Sequence, residues 1–96
     1  MYVRVVSSQA LPDKMDEVIN FARDSAIPLI KEEHGFKSYT LLTDPNTNKV
    51  IALSFWESES DAKASEVGHA QQRLPMVGPL LSGTPVSEIY QVSVEG

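Results

Sequence analysis

Few residues in this chain have chemistry to offer. Trp56 is the sole tryptophan; its ring can stack on a flat molecule or donate an indole N–H to an aromatic anion. The same residue at a strand end reads equally as core. His69 falls on a predicted helix, where an imidazole that titrates near neutral pH can shuttle a proton or serve as an axial ligand. A lone helix histidine is as readily a half-exposed, inert one. Tyr39, Ser54 and Arg73 are polar groups suited to lining a pocket, and each also reads as ordinary sheet or helix surface. Met76, Leu80 and Leu81 add apolar surface in a stretch punctuated by prolines and glycines.

Other chemistries lack their residues. The chain has no cysteine, which excludes thiolate metal sites, disulfides and cysteine nucleophiles. No second histidine stands at metal-ligand spacing from His69. His34 belongs to the end of the first helix, where it complements the dipole, so no metal site is expected. No glycine-rich phosphate loop, nucleophile elbow, paired acid motif or glycosylation signal occurs. Eight Lys and Arg against 13 Asp and Glu give a net charge of −5. The basic residues are scattered singly, so neither nucleic acid nor an anionic membrane surface is an expected partner. No apolar run approaches the ~18 residues that span a bilayer, and the first residues lack the basic-then-apolar pattern of a leader. The cytoplasm is the expected compartment.

Four strands and two helices must position these groups. Residues 2–9 are rich in β-branched and aromatic types and read as a strand. Pro12-Asp13 breaks it, and Asp13 is the expected N-cap of a helix. Met15, Val18, Ile19, Ala22, Ala26, Leu29 and Ile30 recur at threes and fours, predicting an amphipathic helix to about Glu33, with Gly35 as its C′ residue. Pro28 removes a donor and crowds the Asp24 carbonyl, which predicts a kink or short break. Strands follow at Phe36–Thr43 and Val50–Glu57, joined by turn formers at 44–49. Ser58 or Ser60 caps a second helix to about Leu74, weakened by Gly68 at a cost of ~1 kcal/mol relative to Ala. Pro75–Pro85 reads as an irregular segment that, with the loosely packed helix, suits a gate over a pocket. A last strand runs from about Val86 to Val94. The order is β-α-β-β-α-β. The expected fold is therefore α+β and ferredoxin-like, a single domain over residues 1–96 with a four-stranded antiparallel sheet and both helices on one face.

That arrangement leaves one sheet face bare. The third strand is apolar on both parities: Val50, Ala52 and Trp56 on one, Ile51, Leu53 and Phe55 on the other. The last strand carries Tyr90 and Val92 on one parity. Leaving Ile51, Leu53 and Phe55 in water forgoes ~1.5–3 kcal/mol of burial per side chain. A homodimer packed sheet to sheet through these residues is the expected remedy. The alternative is that the apolar segment Met76–Leu81 folds back over the bare face.

The run Ser54-Phe55-Trp56-Glu57-Ser58, the following Glu59-Ser60-Asp61-Ala62 and the Gly35-Phe36 junction together resemble the antibiotic-biosynthesis monooxygenase (ABM) superfamily. The resemblance covers nearly the whole chain. It implies a dimeric α+β barrel with a pocket in each subunit between sheet and helices. Characterised members of the family include cofactor-free oxygenases of polyketide phenols and haem-degrading oxygenases. The haem-degrading branch pairs Trp with a first-strand Asn and an axial His. Trp56 matches, Ser7, Ser8 and Gln9 stand where the Asn is sought, and His69 lies further along than that pattern places its ligand. The cofactor-free branch has an Asn four residues before the Trp, where this chain has Ala52. The resemblance implies a monooxygenase without cofactor acting on a small apolar or aromatic molecule, with Trp56 orienting it and His69 or a tyrosine moving a proton. A non-catalytic binding or assembly dimer and a haem-binding protein are the other readings.

Overall fold

A computed structural model describes residues 1–96. The strands are β1 (Tyr2–Gln9), β2 (Phe36–Asp44), β3 (Lys49–Trp56) and β4 (Val86–Gln91), arranged β2-β3-β1-β4 with every neighbouring pair antiparallel. This is the ferredoxin-like order predicted. The β2–β3 hairpin closes at Asp44 and Lys49. Asn48 takes φ 63° in its turn, a left-handed conformation that asparagine tolerates. β4 ends sooner than predicted. Val92 lies outside it, its N–H donating to the Met1 carbonyl at 2.9 Å, and Val94 is exposed.

Two helical arms lie on one face of the sheet. The first comprises α1 (Met15–Phe21), a π-helical turn (Ala22–Ala26) and α2 (Ile27–Ile30); the second comprises α3 (Glu59–Gly68), a π-helical turn (His69–Arg73) and α4 (Leu74–Val77), ending in a 3₁₀ turn at Gly78–Leu80. The two π turns share a cause. Each starts six residues before a proline, Pro28 or Pro75. A proline deprives the carbonyl four residues back of its donor and presses against it. Widening the preceding turn relieves both problems. The residue just before each proline donates across the wide turn, Ile27 to the Ala22 carbonyl and Leu74 to the His69 carbonyl. The expected break at Pro28 is thus a widened turn in an unbroken arm. The helix expected to stop near Leu74 runs on through Pro75.

The caps differ from one another. Ser58 caps α3 as predicted, its Oγ accepting the Asp61 N–H at 3.1 Å. Asp13 does not cap α1: it takes φ 65°, and Lys14 occupies the cap position without a side-chain bond. Gly35 has φ 80°, and a Cβ there would fall 2.1 Å from the Asp61 carboxylate. Only glycine fits that junction.

The strand pleat sorts the side chains as predicted. Val50, Ser54 and Trp56 of β3 turn toward the arms and are buried, while Ile51, Leu53 and Phe55 turn to the other face and are half-buried in the single chain. Val77 and Leu81 pack with Ala10, Val18 and Val50 on the arm side. The segment that could have covered the far face therefore belongs to the near one.

Candidate functional site

A cavity lies between the sheet and the two arms, and its floor follows the strand register. Helix-facing residues form rows across β2, β3 and β1: Tyr39–Ser54–Arg4, then Leu41–Ala52–Val6, then Thr43–Val50–Ser8. All but Thr43 line the cavity. The row on the other side of Tyr39–Ser54–Arg4 is Phe36–Trp56–Tyr2, which packs with Ile30 and Ala62 and closes that end. Val18, Ala22 and Ala26 form the wall from the first arm, and His69, Arg73 and Val77 the wall from the second. The cavity is amphipathic along its length, polar beside the Trp56 plug and apolar toward the hairpin. Its volume is about 60 Å³, less than the ~150 Å³ cavity that takes up benzene. It holds a few waters or the end of a ligand, and a larger ligand must extend through the mouth.

The polar end is built on two buried arginines. Arg4 and Arg73 are each only 3% exposed. Ser65 of α3 serves both. Its Oγ accepts from Arg4 Nε at 2.8 Å and donates to the Ala62 carbonyl at 2.6 Å, while its own carbonyl accepts from Arg73 at 2.9 Å. Arg73 also donates to the Glu33 carboxylate at 2.8 Å. Gly68 makes room for that pair, since a Cβ there would lie 2.8 Å from the Glu33 carboxylate oxygen. Arg4 Nη1 is buried without a partner.

This charge governs its neighbours. Burial, with Arg73 nearby, pushes Arg4 down to about 10, which leaves it charged at neutral pH. Burial, then Arg4 and Arg73, push His69 down to about 4, so its ring is neutral at pH 7. Burial raises Tyr39, which stays a phenol. The site thus offers two cations, a neutral imidazole and a hydroxyl at one end of an apolar cleft.

Tyr39, Ser54, His69, Arg73 and Leu81 come together here, as the sequence suggests. Trp56 does not line the cavity. It is fully buried, donates its indole N–H to Ser54 Oγ at 2.9 Å and meets Phe36 edge to face at 5.7 Å. It touches the site only through Ser54. Met76 and Leu80 also lie off the cavity wall: Met76 is 52% exposed and Leu80 packs beside the core, while Val77 takes the inward position on α4. Ile51, Leu53, Phe55 and Tyr90 lie on the opposite sheet face, with Val92 beyond the end of β4. Arg4, Ser65 and Glu33 were not expected. Arg4 could have been found, because it shares the buried parity of β1 with Val6. No group of three His, Cys, Asp or Glu side chains is placed to hold a metal ion, and no helix is long and apolar enough to cross a membrane.

Residues 1–73 match the family described as antibiotic biosynthesis monooxygenase. Among solved structures, the chain is similar to a monooxygenase from Streptomyces coelicolor, the product of ActVA-Orf6, in complex with the ligand nanaomycin D. That match has 22% identity and a TM-score of 0.79, covering 98% of this chain and 88% of the other. A Nitrosomonas europaea protein of unknown function is similar at 21% identity and a TM-score of 0.81, with 99% and 91% covered. An MhuD variant with two manganese protoporphyrin IX bound per active site is similar at 18% identity and a TM-score of 0.75, with 100% and 98% covered. These likenesses concern the fold. No curated protein matches the chain.

Proposed function

Since the chain belongs to the antibiotic biosynthesis monooxygenase family, we propose that it is a cofactor-independent oxygenase acting on a small apolar or aromatic molecule held in this cavity. One observation carries the reading: the gap between sheet and arms gathers Arg4, Tyr39, Ser54, His69 and Arg73 at one end of an apolar cleft. Oxygenation by dioxygen alone requires an electron-rich substrate, and removing a proton from a phenol or an activated methylene supplies one. His69 is the proton acceptor in this scheme. Its ring is a poor base at rest, so the two arginines do most of the work by stabilising the anion that forms. That anion in turn offsets their field on His69 and strengthens it as a base. Tyr39 keeps a proton to donate, and Trp56 positions Ser54.

The haem reading fits less well. His69 is the only imidazole in the cavity wall, and the space beside it is smaller than a benzene site. A macrocycle does not fit without separation of the arms, so no step is routed through one. A purely binding role for the same cavity has one observation in its favour, the low basicity of His69. Dimerisation is part of the proposal: the face carrying Ile51, Leu53 and Phe55 is covered by no element of this chain.

The test is oxygen uptake with a panel of anthrones and naphthols. Uptake by the wild type that falls at least about tenfold in His69→Ala supports the oxygenase. Tight binding of the panel without uptake assigns the cavity to binding alone.

A further inference from the structure

A buried guanidinium is stable when each of its N–H groups meets an acceptor and its charge meets a counter-charge. Arg4 has neither in full. Its Nε is bonded to Ser65, but Nη1 is shut away from solvent with no acceptor. The charges around it do not balance. Arg73 adds a second cation, and the Glu33 carboxylate in contact with Arg73 neutralises only one of the two. Glu66, the other carboxylate whose field reaches Arg4, makes its hydrogen bond to Ser87, accepting from its hydroxyl at 2.8 Å. Tyr39 and His69, which face the arginines from β2 and the second arm, are both neutral. A water could satisfy the idle N–H but not the surplus charge.

The surroundings say what could do both. Arg4 belongs to the polar row of the floor, with the Trp56 plug on one side and Leu41–Ala52–Val6 on the other. A ligand reaching Arg4 from the open side lays its remaining atoms along that apolar row. The space near Arg4 admits a small group of atoms and not a whole ring.

We propose that the cavity takes its ligand head first by an anionic oxygen, a carboxylate or a phenolate, which accepts from Arg4 Nη1 while the apolar body lies over Leu41, Ala52 and Val6 toward the mouth. This deepens the oxygenase reading by naming the class of substrate, and rests on it for everything that follows binding.

Calorimetric titration with benzoate and with its neutral counterpart methyl benzoate tests the carboxylate form. Absorbance titration with p-nitrophenol, below the pH at which the free compound ionises, tests the phenolate form. In the wild type, benzoate is expected to bind at least about tenfold more tightly than methyl benzoate, or p-nitrophenol to turn yellow on binding. A charge-assisted hydrogen bond predicts that size of effect. Whichever probe responds identifies the head group, and Arg4→Met is expected to abolish the preference. Should that variant fail to fold, the wild type labelled with ¹⁵N-arginine answers instead: the Arg4 side-chain signal moves with the responding probe and stays still with methyl benzoate. Equal binding of benzoate and methyl benzoate with no colour change overturns the proposal, as does Arg4→Met retaining the preference. Oxygen uptake separates the two readings. Anion-selective binding without uptake removes the oxygenase and keeps the anion site, whereas uptake without anion preference does the reverse.

Discussion

Ser65 shows how much one small side chain can hold. Its hydroxyl and carbonyl are the shared anchor of both buried arginines, and it was invisible in the sequence because a serine on a helix with a thin apolar face reads as surface. Replacing it with Ala leaves Arg4 Nε without an acceptor, a loss of about 1–3 kcal/mol. The expected fall in Tm is roughly 5–15 °C for a domain of this size, read by thermal circular dichroism; an unchanged Tm means that Arg4 finds another partner. His69 gives a prediction in pH. Its folded value, about 4, lies below the unfolded value of 6.5. Between those limits the unfolded chain binds the proton and the folded chain does not, so this residue's contribution to stability falls as pH drops from 6.5 to 4. His34 acts oppositely, since its bond to Asp61 raises its pKa and favours the folded state below 6.5. The difference between wild type and His69→Gln isolates the first effect. Denaturation midpoints at pH 7 and 4.5 are expected to diverge less in the variant. Both candidate catalytic residues were legible by type, but their surroundings were not. Trp56 looked like a site residue because tryptophans are scarce, yet it sits one row too deep.

At the scale of elements, periodicity and turn chemistry predicted every strand and both arms, since alternation and threes-and-fours spacing are local properties. What escaped was the response to proline. A proline within a helical pattern signals disruption, but whether the chain breaks or adds a residue to one turn depends on what packs against it. Both arms keep their contact with the sheet by widening instead of breaking. As a result His69 and Arg73 bound a π turn and share a wall with Val77. Gly68 was also misread. A glycine inside a helix ordinarily marks a weak point that Ala would strengthen by about 1 kcal/mol. Here a Cβ would push on the carboxylate that neutralises Arg73. Gly68→Ala is therefore expected not to raise Tm despite its better helix propensity; a gain of several degrees in calorimetry would count against the role given to the Glu33–Arg73 pair.

For the whole molecule, the double-sided apolar character of β3 was readable from parity alone, and it sorts as expected, with one set of residues under the arms and the other set facing away. The proposed dimer gives the last prediction. Light scattering at micromolar concentration should return twice the mass of the 10.6 kDa chain. Leu53→Glu, at the centre of the bare face, should return a single chain that still shows the far-UV spectrum of the wild type, because the substitution does not touch the core under the arms. A wild type that is monomeric at that concentration removes the dimer. The bond between Glu33 and Arg73 has a mechanical consequence as well. It ties the turn after the first arm to the second arm, near the sealed end of the cleft. With that strap fastened, the arms can swing apart only at the far end, like a purse held shut at one corner. Traffic is then one-way by geometry: a molecule too large for the resting space enters and leaves past Ser8, Leu81 and Pro85.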